Sequence, residues 1–148
     1  MQPVDDESPV VTADQIIACL RLTPHPEGGH YRQTWAATND GRATGTCIYF
    51  LLKSDECSHW HKVDATEIWL YHTGAPLILS IAKSGAGPAR DHLLTPDLSK
   101  GEPQIIVPEN HWQAARTTGE FTLVSCTVSP GFEFKGFTLV APGFDIPR

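Results

Sequence analysis

Positive charge is scarce in this sequence: 11 Lys and Arg stand against 17 Asp and Glu, a formal net charge of −6, with no basic run anywhere. A nucleic-acid binder neutralises phosphates with clustered Lys and Arg, so no nucleic-acid partner is expected. Long apolar runs are missing too. None approaches the roughly 20 residues that cross a bilayer, and the opening MQPVDDESPVV is acidic where a secretory signal is basic and then apolar. The expectation is a cytoplasmic protein with no membrane partner. Cys19, Cys47, Cys57 and Cys126 include no C-x-x-C pair, which argues against a zinc knuckle or thioredoxin-type motif and for free thiols in a reducing compartment.

Helical periodicity is confined to one segment. Thr12 and Gln15 are spaced as a capping box, Ile16, Ile17 and Leu20 recur on one face, and Pro24 lies just past the end. Residues 1–11, acidic and Pro-containing, read as a disordered leader, and 12–148 as one domain. From Gly28 onward, short β-branched and aromatic segments alternate with Gly, Pro, Asn and Asp clusters. Strands are expected near 30–36, 44–53, 57–62, 66–72, 76–82, 89–94, 104–107, 112–116, 120–129 and 137–140, with turns at Asn39-Asp40-Gly41, residues 84–88 and Thr118-Gly119. So many short strands with one short N-terminal helix predict an all-β sandwich, barrel or jelly roll, since those architectures cover strand edges.

The stretch from Cys57 to Gly74 holds the densest chemistry. On a regular strand His59 and His61 point the same way with Trp60 opposite. Two imidazoles on one face with Glu67 on the next strand form a set that iron, manganese, nickel or zinc accepts; the competing reading is surface or hydrogen-bonded histidines.

His-x-His, then Glu67, then six residues and Gly74 resembles the first motif of the cupin superfamily. The resemblance implies a double-stranded β-helix in which two His and the Glu bind a divalent metal. Five residues separate His61 from Glu67, where three or four are usual in the family. If Glu67 anchors the match, the additional residue requires a bulge or longer turn, and only one of His59 and His61 then reaches the site. The second cupin motif falls on Pro108 to Gln113, with Asn110 at the usual Gly position and Gln113 in place of the third metal histidine. The tentative metal set is therefore His59, His61, Glu67 and Gln113, and the same site without metal would hold water or substrate. Blocks at 24–32, 48–52, 60–63, 67–69, 108–114 and 126–134 are together similar to a subfamily of small cupins of unknown function. That likeness implies a homodimer, structurally close to deoxysugar-nucleotide epimerases.

Other polar residues divide between pocket and surface. Glu27 with Gly28-Gly29 reads as a tight turn into a strand on which His30, Arg32 and Thr34 share a face, either capped and solvated or facing a ligand. Arg32 could clamp a carboxylate or phosphate. Glu67, Trp69 and Tyr71 share a face, either as cavity wall or as core. Glu133 and Phe134 follow a Pro-Gly turn and are candidate substrate contacts, as is Gln113. Two functions follow. One is an isomerase, epimerase or lyase acting on a sugar or sugar acid, with His61 and Glu67 as the catalytic pair. The other is a non-catalytic metabolite binder, and a dioxygenase ranks third. Geometry at His59, His61, Glu67, His111 and Gln113 separates these readings.

Overall fold

In a computed structural model of the chain, residues 11–37, 40–141 and 143–148 are described. The leader at 1–10 and Asn39 of the expected first turn lie outside them. A helix, α1 (Ala13–Leu20), precedes eleven strands: β1 (Thr23–Pro24), β2 (His30–Ala36), β3 (Thr46–Lys53), β4 (Ser58–Val63), β5 (Thr66–Gly74), β6 (Leu77–Ala82), β7 (Ala89–Leu94), β8 (Gln104–Val107), β9 (Trp112–Thr117), β10 (Phe121–Ser129) and β11 (Phe137–Leu139). All ten expected strands are present. The two-residue β1 is additional, and β3 starts at Thr46 rather than residue 44.

The strands form two antiparallel sheets in the orders β1-β2-β3-β10-β5-β8 and β11-β4-β9-β6-β7. This is a jelly roll. Phe50, Leu52, Trp69, Leu77, Leu79, Leu94, Val107, Ala115, Val124 and Cys126 form the core between the sheets. In β3, Leu51 alternates away from Phe50 and Leu52 and packs with Leu123 against Ile16 and Leu22 beyond the first sheet. The helix thus buries the outer face of β3 and β10, which explains why both strands read as nearly continuous apolar runs.

The helix starts as its sequence predicts: the Gln15 amide donates to the Thr12 side chain at 3.2 Å and the Thr12 amide to Gln15 Oε1 at 2.9 Å. It is pinned from the sheet by Arg32, whose Nε donates to the Leu20 carbonyl at 2.6 Å. His30 and Arg32, which pair with Leu51 and Tyr49, share a face that points out of the jelly roll toward α1 and the surface; a register shift between Gln33 and Trp35 interrupts the alternation at Thr34. Asn110 has φ +62°, the left-handed geometry expected of the residue in the glycine position. Among the described residues no helix is long and apolar enough to cross a membrane.

Candidate functional site

Between the sheets lies a cavity of about 280 Å³ lined by His25, Glu27, Tyr31, Gln33, Thr46, Ile48, His61, Val63, Glu67, Val128, Phe132, Phe134 and Phe137. Its ionisable groups are brought together by two irregularities of the backbone.

The first is a bulge in β4. Ser58 pairs with Ala115 and His61 with Gln113, so three residues of β4 span two of β9. The strict alternation expected of His59 and His61 is broken. His61 turns inward and is 2% exposed, whereas His59 is exposed, beside Cys57 and near Arg116, in a separate hollow of about 450 Å³ outside the second sheet. The bulge lies ahead of His61, so the additional residue before Glu67 falls instead in the segment from Lys62 to Thr66 that turns β4 into β5; one histidine of the pair reaches the site.

The second is the loop before β2. Gly28 and Gly29 adopt φ +106° and +78°, and a Cβ on Gly28 would collide with the Cys57 carbonyl oxygen. Only glycine lets the chain press this closely onto the start of β4, where the His59 amide donates to the Glu27 carbonyl at 2.8 Å. His25 and Glu27 are thereby inserted into the barrel.

Glu27 Oε2 lies 2.7 Å from His61 Nε2 as an ion pair, yet it makes no in-line hydrogen bond and is otherwise unpartnered and buried. The other ring nitrogen of His61, Nδ1, lies 2.7 Å from the His59 carbonyl, which can only accept, so Nδ1 carries a proton. Burial alone would lower the His61 pKa; the Glu27 charge, with help from Glu67 and the His59 carbonyl, overrides burial and raises it to about 9. Conversely, burial would raise Glu27, but the charge of the His61 imidazolium beside it holds it below its ordinary value. The pair is ionic at neutral pH.

Glu67 behaves differently. Burial and the neighbouring Glu27 charge push it up to about 7, against the opposing pull of His61, Gln113 and the Cys126 thiol. It therefore exchanges a proton near neutrality, the property required of an acid–base catalyst. His25 is neutral, because burial lowers its pKa. Its Nδ1 accepts from the Glu27 amide at 3.1 Å, which places its proton on Nε2. Its ring sits edge-on to Tyr31, with centroids 4.4 Å apart.

Gln113 is buried behind Glu67. Trp69 Nε1 donates to Gln113 Oε1 at 2.8 Å, and because an indole can only donate, the amide orientation is set: Gln113 Nε2 donates to Glu67 Oε1 at 2.9 Å. This decides the question of a metal. Gln113 offers Glu67 a hydrogen rather than a lone pair, and both His61 nitrogens already face an acceptor. Among the described residues, no three His, Cys, Asp or Glu are grouped to hold a metal ion. The donor set does not fit iron, manganese, nickel or zinc.

The remaining expected contacts are distributed as follows. Phe134 joins the cavity wall. Glu133 lies at the surface, 3.1 Å from Lys135 and 3.8 Å from Arg42. His30 lies 3.2 Å from Glu56, and Arg32 holds the helix, so neither lines the cavity. Trp69 acts on the site only through Gln113, and the Tyr71 hydroxyl donates to the Gly74 carbonyl at 2.6 Å against the core. His111 is half-buried at the hairpin, its Nδ1 3.2 Å from the Glu109 carbonyl. Sequence reasoning missed His25, Tyr31, Gln33, Phe132 and Phe137 as site residues. The signal for His25 was its His-x-Glu spacing from Glu27 in a loop whose glycines force close approach.

The chain is similar to a hypothetical protein from Leishmania major, at 29% identity over 90% of each chain with a TM-score of 0.82. It is also similar to a protein from Shewanella oneidensis, at 38% identity over 88% of this chain and 85% of that one, with a TM-score of 0.83. A looser likeness, 13% identity and a TM-score of 0.61 over 79% of this chain and 29% of the other, is to oxalate decarboxylase from Bacillus subtilis, an enzyme with Mn(II) centres. That likeness supports the fold alone. No curated protein matches the chain. The family model described as Cupin superfamily (DUF985) matches residues 14–140, and the chain belongs to that family.

Proposed function

We propose that this protein is an acid–base enzyme of the isomerase or epimerase type, acting on a small sugar-like hydroxycarbonyl metabolite in the aromatic-walled cavity. The observation that carries the reading is the convergence of Glu27, His61 and Glu67, all buried, on one cavity large enough for a monosaccharide-sized molecule.

The roles follow from protonation. In its ionised form Glu67 removes the proton next to the substrate carbonyl; the C–H electron pair moves into the carbonyl and leaves an enolate. His61, protonated through its pairing with Glu27, stabilises the oxyanion by its charge. Glu67 then returns the proton to the former carbonyl carbon while the hydroxyl hydrogen of its neighbour passes to the enolate oxygen, which completes an isomerisation; epimerisation requires the enolate to turn over in the cavity before the proton returns to the same carbon. This assigns Glu67 as base and His61 as electrostatic acid, because a histidine with a pKa of about 9 is already protonated at neutral pH. The Phe132, Phe134 and Phe137 walls exclude water from the enolate. A homodimer in the cytoplasm completes the proposal, supported by the sequence likeness and by four free cysteines.

The test is deuterium wash-in. Intact protein is incubated in D₂O with a panel of aldoses, ketoses and deoxysugars, and incorporation beside the carbonyl is followed by NMR. The expected result is incorporation that falls by roughly 10²–10⁴ in a folded Glu67→Gln variant. Binding without incorporation favours the non-catalytic binder, a reading to which the unpartnered Glu27 Oε2 also contributes, since it awaits a donor from any ligand.

A further inference from the structure

The charge of the cavity narrows the substrate class. Among the described residues, no Lys or Arg lines it. Each arginine that could serve an anion is committed or elsewhere. Arg32 lies on the outside of the first sheet, holding the Leu20 carbonyl. Arg42 is engaged at the rim, with Nη2 2.7 Å from Asp64 Oδ1 and Nε 2.7 Å from the Gly131 carbonyl. Arg116 belongs to the hollow outside the second sheet.

Within the cavity the one cation, His61, is already matched by Glu27, and Glu67 adds a second buried carboxyl. An anionic ligand would face two carboxyl groups with no free positive partner, at short range and with little water to screen the repulsion. Glu27 Oε2, on a residue 5% exposed, lies 2.7 Å from His61 Nε2 and has no second partner. A carboxylate oxygen accepts more than one hydrogen bond, so its remaining lone pair is open to a ligand that brings a donor. The aromatic walls favour an apolar ring face opposite that donor.

We infer that the ligand of this cavity is an uncharged hydroxycarbonyl compound that donates a hydroxyl hydrogen to Glu27 Oε2, and that sugar acids and other carboxylates are rejected. The inference rests on the acid–base reading of the same site, which it narrows from sugars and sugar acids to uncharged sugars and their analogues. An ammonium compound is disfavoured beside the protonated His61, although carboxyls and aromatic rings otherwise attract cations.

The experiment is an NMR titration of the intact protein with four ring-sized probes: 2-hydroxycyclohexanone, cyclohexanone, cyclohexanecarboxylate and cyclohexylammonium. Contact is located by intermolecular NOEs to the Phe132 and Phe137 rings. The hydroxyketone is expected to bind about tenfold tighter than the carboxylate, and several-fold tighter than the plain ketone, which lacks the donor. The inference is overturned if the carboxylate or the ammonium binds as tightly as the hydroxyketone, if the hydroxyl gives no gain, or if none of the four binds. The two proposals fail separately. Wash-in on a sugar acid refutes this one and leaves the acid–base reading standing, whereas the predicted order of binding without any wash-in refutes catalysis alone.

Discussion

Replacing Glu67 by Gln tests the electrostatics of the site without invoking any substrate. The variant is isosteric and retains an oxygen for the Gln113 amide, 2.9 Å away in the native protein. Glu67 titrates at about 7 in the folded chain against an ordinary 4.5, so between those values the folded state holds a proton that the unfolded state has released. Stability therefore falls as pH rises through that window, the reverse of a salt-bridged carboxylate. The 2.5-unit interval between these values, at about 1.4 kcal/mol per unit, corresponds to about 3 kcal/mol, present in full above pH 7 and absent below 4.5.

His61 acts in the same direction over a later window. Its folded pKa of about 9 lies above its ordinary 6.5, so its stabilisation is complete below 6.5 and is lost as pH rises to about 9. That contribution is largely common to both proteins and drops out of their difference. Since part of the His61 shift comes from Glu67 itself, the net effect is expected to be about 1–3 kcal/mol. Urea unfolding at pH 5 and pH 8 is the assay. Wild type and Glu67→Gln are expected to lie within about 1 kcal/mol of each other at pH 5, and the variant to be the more stable at pH 8 by about 1–3 kcal/mol in the extrapolated unfolding free energy. A gap that is constant to within about 0.5 kcal/mol, or that moves the other way, would refute the claim that Glu67 is buried beside a second ionised carboxylate.

Three further outcomes are expected. His61→Ala leaves Glu27 buried without its cation and should cost about 3–5 kcal/mol at pH 7 by denaturant unfolding; the deficit should shrink in acid as Glu27 protonates. Trp69→Phe keeps an aromatic ring but removes the indole hydrogen from buried Gln113 Oε1 and should cost about 1–3 kcal/mol by denaturant unfolding. Gly28→Ala places a Cβ against the Cys57 carbonyl at φ +106° and should lose about 2 kcal/mol or more in a thermal melt, with deuterium wash-in falling further because the loop carrying His25 and Glu27 is displaced.

Most of the fold was legible because its signals are local. The Thr12–Gln15 box, the alternation in β6 and the apolar runs of β3 and β10 each report their own element. The site was harder to read, since its assembly depends on where local rules break. Alternation placed His59 beside His61; the bulge in β4, between Ser58 and His61, separates them and left no trace in the sequence. Alternation also grouped His30 with Arg32 correctly, but it could not foresee the register shift at Thr34 or say which face of β2 is inside. The helix decides this, by covering the outer face and engaging Arg32 there, so that Tyr31 and Gln33 face the cavity. Phe132 and Phe137 were invisible as site residues because the segment after β10 has no period from which a direction can be read.

Under the proposed function, Gln113 is the residue that lets a cupin frame support acid–base chemistry without metal ligation. A histidine there would turn a lone pair toward Glu67 and draw a cation between them. Gln113 instead turns a hydrogen toward Glu67, because Trp69, supplied by the same strand as Glu67, can only donate and so claims the amide oxygen. Glu67 then receives one neutral hydrogen bond where a metal ligand would feel a full positive charge. A metal would have held this carboxylate ionised at every physiological pH; the amide leaves it near neutrality, able to take a proton and return it. Glu27 acts oppositely on His61, holding the imidazole protonated. One carboxylate thereby fixes the charge of the site while the other remains free to titrate, a division that requires both carboxyls to be buried and only one to be paired with the cation.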